Sequence, residues 1–239
     1  MINIIYRDSD IIVCIKPSGV LSTDEPGGMP DLLRSCLDLQ SDSVFTVHRL
    51  DRVVSGLMLF AVNKKSAGIL GKEITDGHFN KEYMAVVHGS PESKSGRYDD
   101  LLFRDTSKNM TYVVNRMRKG VRDASLEYTV LGADADKSLV KIKLLTGRTH
   151  QIRAQFSSRK MPIFGDKKYG ASNDQCQIAL WSCRLSFYHP ITGEKITFYE
   201  LPPSVFPWIS FPDFCIDRNP EEYELPERKY YREVALNEI

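Results

Sequence analysis

The chain opens on two short apolar runs, "INIIY" and "IIVCIK", separated by the turn residues "RDSD". Both read as strands. "KPSGV" follows as a Pro-Gly turn. In "DLLRSCLDL" the apolar positions Leu32, Leu33, Cys36, Leu37 and Leu39 recur at helical spacing. "VFTV" and "LMLFAV" are rich in β-branched and aromatic residues and read as strands. "KKSAGILGKEI" has a helical pattern weakened by its two glycines. "EYMAVVHG" is apolar on both faces, which predicts a central, buried strand. The polar stretch "SPESKSGRYDD" reads as a loop. "MTYVV", "SLEYTVL" and "SLVKIKLL" are further strands. "THQIRAQFSS" predicts a short helix with Thr149 as N-cap. "QIALWSCRLSFYH" and "KITFY" supply the last strands around the turn "PITGE". Beyond Leu201 the prolines thicken, and "PERKYYREVALNEI" reads as a terminal helix. Many strands, few helices and hairpin-length turns predict an α+β fold, with a mixed, largely antiparallel β-sheet and flanking helices.

Composition changes this picture little. The 239 residues, 42% hydrophobic and 26% charged, are those of an ordinary globular protein. No apolar run is long enough to cross a bilayer, and the N-terminus lacks a signal-peptide pattern. The five cysteines, an odd and scattered count without a C-x-x-C pair, favour neither zinc nor a disulfide framework. A reducing cytoplasm is the expected setting.

Charge distribution says more than the net charge of +1. Between residues 141 and 168 lie Lys141, Lys143, Arg148, Arg153, Arg159, Lys160, Lys167 and Lys168, with Asp166 as the lone acid. "NRMRKGVR", residues 115–122, is a second basic cluster, and the C-terminal stretch is acidic. The cations can form one positive face, as a polyanion would need; spread around the fold, they would be ordinary solvated charge.

Three places could carry chemistry. Asp51 lies in "HRLDRVVSG" between two strand candidates, with Arg49 and Arg52 within reach. A guanidinium favours the ionised form of a nearby carboxylate, and a fixed carboxylate can act as nucleophile or general base. From these residues alone a structural salt bridge remains open. "TGRTHQIRAQF" places His150 and Arg153 on one helix face, with Ile152 and Phe156 beside them and Arg148 at a helix mouth suited to phosphate. A solvated basic helix face is the alternative. Tyr83 shares a strand face with Lys81; it is either a core tyrosine or a flat surface for an unstacked base. Phosphate-loop, nucleophile-elbow and metalloprotease patterns are absent, and no histidine has a second ligand at metal spacing. No metal or cofactor is expected.

"HRLDRVVSGLMLFA", "KEYMAVVHG", "LLTGRTHQIRAQF", "MPIFGDKKYG" and "LSFYHPITGE" occur in the order seen in the RluA-type RNA pseudouridine synthases, and residues 2–201 resemble that family. The resemblance implies an enzyme that flips a uridine out of RNA and exchanges its C–N glycosidic bond for a C–C bond. It implies Asp51 as the catalytic aspartate, Arg49 as the side chain filling the space left by the base, Tyr83 as the tyrosine packed on the flipped base, and Arg153 as the partner of the aspartate. Arg148, His150 and Lys81 complete the expected RNA-contacting set. Val54, Gln155 and Trp181 stand where the family usually has threonine, histidine and histidine. The expected organisation is a catalytic domain over 1–201 without an S4-type domain, followed by an extension over 202–239. The expected partner of this cytoplasmic monomer is ribosomal or transfer RNA. A non-catalytic RNA-binding protein and an Asp-dependent hydrolase are the competing classes. Intact Asp51, Tyr83 and Arg153 weigh against the first, and the lack of a second carboxylate or metal motif weighs against the second.

Overall fold

A computed structural model describes residues 2–171 and 173–212. Strands β1 (Asn3–Arg7), β2 (Ile11–Lys16), β3 (Phe45–Thr46) and β4 (Ser55–Ala61) form one side of the sheet, with helix α1 (Met29–Leu37) inserted between β2 and β3. Helix α2 (Lys64–Thr75) leads to β5 (Asn80–His88), β6 (Ser95–Asp105), β7 (Met110–Val114), β8 (Val121–Ala133) and β9 (Lys137–Leu144). Helix α3 (Gln151–Ser158) precedes β10 (Leu180–Tyr188) and β11 (Lys195–Tyr199). These strands make one sheet in the order β1-β2-β4-β10-β5-β9-β8-β6-β7, with β3 on β4 and β11 on β10. Among the described strands, β4–β10 is the only parallel pairing. The fold is α+β with a mixed, largely antiparallel sheet.

The continuous apolar runs are explained by burial on both faces. In β2 and β4, Ile11, Val13, Leu57, Leu59 and Ala61 face Leu70 of α2. Ile12, Cys14, Met58 and Phe60 face the opposite core with Met29 and Leu33 of α1. Successive side chains point to opposite faces of a strand, so a strand covered on both sides shows no polar alternation. Strand β5 lies between β10 and β9, and Tyr83 to Val87 are buried there. No described helix is long and apolar enough to cross a membrane.

Local caps shift the helix limits. Helix α1 starts at Met29, two residues before the predicted "DLLRSCLDL", with Pro30 in its first turn, and Asp38 ends it in the left-handed region. The Asn63 side chain caps α2 by accepting from Ser66 N–H, which offsets the two internal glycines.

Two expectations fail. The segment "SPESKSGRYDD" is not all loop, because β6 begins at Ser95 and pairs with β8 along its length. Arg97 and Asp99 lie on the solvent side of the sheet, while Tyr98, Leu102 and the Gln155-bonded Asp100 point inward. Polarity on one face therefore hid a strand. The second is Thr149 as N-cap of α3. The cap residue is His150, in the left-handed region, and the Thr149 carbonyl instead accepts from the Thr111 hydroxyl at 2.8 Å. The terminal helix expected over 226–239 lies outside the described residues. Beyond Leu201 the described chain folds back, and Trp208 and Phe211 enter the main core.

The parallel seam depends on Gly56. Its φ is +115°, and a Cβ there would stand 2.4 Å from the carbonyl oxygen of Ser182, its partner on β10. Gly56→Ala should destabilise the protein by about 2–4 kcal/mol, through backbone strain and forced separation of β4 from β10. Urea denaturation monitored by tryptophan fluorescence measures it.

Candidate active site

The turn between β3 and β4 carries Asp51, and an earlier segment clamps it. The Ser22 hydroxyl accepts from Leu50 N–H at 3.0 Å and donates to Leu50 C=O at 2.8 Å. The Lys16 ammonium has no exposure and donates to the carbonyls of Pro17, Val20 and Arg52 at 2.8, 2.8 and 3.0 Å. Burial lowers its pKa to about 8, against the nearby charge of Asp51 and with that of Arg52. His48 accepts from Leu59 N–H through Nε2 at 3.0 Å, just beyond the end of β3. "KPSGV" and "HRLD" thus form one rigid unit, and Asp51 projects from it, partly exposed.

Its cationic partner is not a neighbour in sequence. Arg52 donates to the Gly19 carbonyl at 2.7 Å instead, and Arg49 projects, exposed, into the cleft. Arg153 of α3 reaches Asp51 Oδ2 through Nη1 at 3.0 Å. The same guanidinium grips Asp166 through Nε and Nη2, both at 2.7 Å. Arg153 is 5% exposed and Asp166 1%. Burial opposes the charge on Arg153, but its bonds to Asp166 and Asp51 more than offset this and raise its pKa. The Tyr169 ring lies beneath the guanidinium, with its centroid 4.9 Å from Cζ.

His150 completes the floor. Its Nε2 lies 3.7 Å from Asp51 Oδ2, and its Nδ1 lies 2.9 Å from the Tyr169 hydroxyl. Burial lowers the imidazole pKa to about 4; Asp51 opposes this shift, and Arg153, Arg104 and Lys168 reinforce it. Tyr83 and Lys81 line the same pocket. Burial, the larger cause, and the charge of Asp51 raise the Tyr83 hydroxyl pKa; burial alone lowers that of Lys81.

Every predicted site residue, Asp51, Tyr83, Arg153, Arg49, Arg148, His150 and Lys81, borders this pocket. Above it opens a cleft of about 1120 Å³, with Arg104, Lys167 and Lys168 on its rim. Arg159 is not on that rim: it pairs with Asp100 at 2.9 Å and stacks over Tyr98. The start of α3 is not an open phosphate cradle, because Arg148 N–H donates to the Gln151 side chain and Gln151 N–H to the Arg148 carbonyl. Val54, Gln155 and Trp181 stand outside the carboxylate's hydrogen bonding. Val54 is apolar lining, Gln155 bonds Asp100 at 2.7 Å, and Trp181 bonds the Glu200 carbonyl at 2.9 Å. Sequence reasoning assigned no role to Asp166 and Tyr169, although both lie in the motif "MPIFGDKKYG" and Asp166 is the lone acid of a long basic stretch. Among the described residues no cluster of His, Cys, Asp or Glu suits a metal ion.

The comparisons agree with this architecture. The solved structure titled human RNA pseudouridylate synthase domain containing 1 superposes with a TM-score of 0.71 at 22% identity, covering 86% of this chain and 85% of that one. The fold is therefore that of the pseudouridylate synthases. A family model described as RNA pseudouridylate synthase matches residues 10–158. The dual-specificity RNA pseudouridine synthase RluA of Vibrio vulnificus is 35% identical over 196 residues, 78% of each chain. An uncharacterised RNA pseudouridine synthase of Mycoplasma pneumoniae is 31% identical over 202 residues, 82% of this chain. The chain spans 65% of that relative's length. The chain belongs to the RNA pseudouridine synthase family, in its RluA-type branch.

A neutral buried histidine takes up protons less readily than it does in the unfolded chain. Between the unfolded value near 6.5 and the folded value of about 4, the unfolded state binds more protons, so stability falls on acidification. His150 alone should remove about 1–2 kcal/mol between about pH 7 and pH 5. Urea midpoints at the two pH values check this, and His150→Asn should show a smaller drop.

Proposed function

We propose that this protein converts a specific uridine of ribosomal or transfer RNA to pseudouridine, with Asp51 acting at the ribose. The observation that carries the reading is the Asp51–Arg153 pair at the floor of a cation-rimmed cleft. A stacked uridine cannot present C1′ to a side chain, and extruding it costs a few kcal/mol. Arg49, exposed beside Asp51, suits the vacated space in the RNA. Tyr83 offers its ring as a wall for the base. Arg148 and Lys81 supply charge for the flanking phosphates.

Asp51 then acts by attack on C1′ or by taking the C2′ proton. Both routes need a carboxylate aimed at the sugar, and the hydrogen bond from the fixed guanidinium of Arg153 aims it. The N1–C1′ bond breaks with its electron pair on the uracil. The ring turns and C5 bonds to C1′, as the Asp51–C1′ bond breaks in the first route or as the proton returns to C2′ in the second; C5 then loses its proton and N1 gains one. Substrate and product have the same atoms and oxidation level, so this scheme calls for no redox partner.

Comparing pseudouridine maps of total RNA from cells with and without the gene tests the reading and identifies the uridine. Asp51→Asn should abolish conversion, by at least about a thousandfold if the carboxylate does the chemistry, while leaving RNA affinity within a fewfold. Wild-type turnover in this variant refutes the role of Asp51. RNA affinity should also fall steeply with salt. If rim cations make roughly 4 phosphate contacts, the loss between about 50 and about 200 mM salt is about 50-fold. Filter binding over that range measures it, and a flat response rules out a phosphate-binding rim.

A further inference from the structure

His150 holds a hydrogen-bond donor that no described residue takes up. The Tyr169 oxygen accepts from Thr111 N–H at 2.7 Å and lies 2.9 Å from His150 Nδ1. With one lone pair of its oxygen accepting from Thr111, the Tyr169 hydroxyl can donate to Nδ1, and in that arrangement the imidazole hydrogen sits on Nε2. The carboxylate of Asp51 favours the same tautomer, because Nε2 faces it at 3.7 Å. That distance is too long for a hydrogen bond. Among the described contacts Nε2 has no other hydrogen-bond partner, although the side chain is only 9% exposed. The His150 ring lines the pocket, so a bound molecule can reach that donor. The backbone adds another mark: His150 sits at φ +53°, an uncommon conformation for a residue with a side chain, as strained functional positions often are.

We propose that the Nε2–H of His150 recognises the 2′-hydroxyl of the target ribose and so makes the cleft select RNA over DNA at the flipped nucleotide. The inference rests on the functional reading above. If Asp51 works at C1′ or C2′, the sugar edge it meets lies within a few ångström of Nε2. The 2′-oxygen is the hydrogen-bonding group on that edge which DNA lacks. Arg153, the cation beside Asp51, already divides its bonds between Asp51 and Asp166. An uncharged donor also suits an uncharged hydroxyl, and it leaves the ion pair undisturbed.

The test uses an RNA stem-loop around the mapped site with either pseudouridine or 2′-deoxypseudouridine at the target. Product-form ligands cannot turn over, so dissociation constants are read directly. Wild type should bind the ribose form about tenfold more tightly, the equivalent of one hydrogen bond. His150→Asn tolerates the left-handed backbone but is too short to place a donor at Nε2, and its ratio should fall to near one. His150→Gln, whose amide reaches further, should restore part of the preference. Tyr169→Phe keeps His150 but releases its tautomer, and it should give an intermediate ratio; this variant decides the matter if His150→Asn does not fold. A wild-type ratio near one, or an unchanged ratio in folded His150→Asn or Tyr169→Phe, overturns the assignment. Absence of pseudouridine formation by wild type strikes instead at the functional reading.

Discussion

The divided grip of the Arg153 guanidinium fixes the chemistry of the cleft. Two of its nitrogens hold the fully buried Asp166, and a third holds Asp51 at the surface of the pocket. A buried ion pair costs desolvation and is weak evidence for stability. Its worth here is geometric. Asp166 closes the plane of the guanidinium, so its remaining edge has one direction to point, and Asp51 stands in that direction. The cation is therefore aimed rather than merely nearby.

The same logic extends to the other side of the carboxylate. Lys16 spends all three ammonium hydrogens on backbone carbonyls, one of them Arg52, next to Asp51. Ser22 bonds both the N–H and the C=O of Leu50. A turn pinned from both chain directions cannot swing its aspartate into solvent. Rigidity comes from polar contacts within "KPSGV" and "HRLD", more than from the apolar strands that flank them.

Much of this was legible in the sequence. Continuous apolar runs located β2, β4 and β5, because strands covered on both faces need no polar positions. The clustering of Asp51, Tyr83 and Arg153 followed from the family resemblance; local spacing alone left a salt bridge, a core tyrosine and a solvated helix open. The cation nearest to Asp51 in sequence, Arg52, turned elsewhere, since contacts across 102 residues leave no local trace. The polar face of β6 concealed a strand for the same reason that the covered strands were obvious: the pattern reports environment, and one side of β6 meets water. Asp166 and Tyr169 were hidden because their roles exist only where separate segments converge.

The parallel seam between β4 and β10 has a bearing on biosynthesis. Asp51 comes from the strands on one side of that seam, whereas Tyr83 and Arg153 come from β5 and α3 beyond it. The strand that joins the two sides, β10, is among the last to be synthesised. A nascent chain therefore displays Asp51 long before Arg153, the guanidinium that aims it, and longer still before β10 closes the sheet between them.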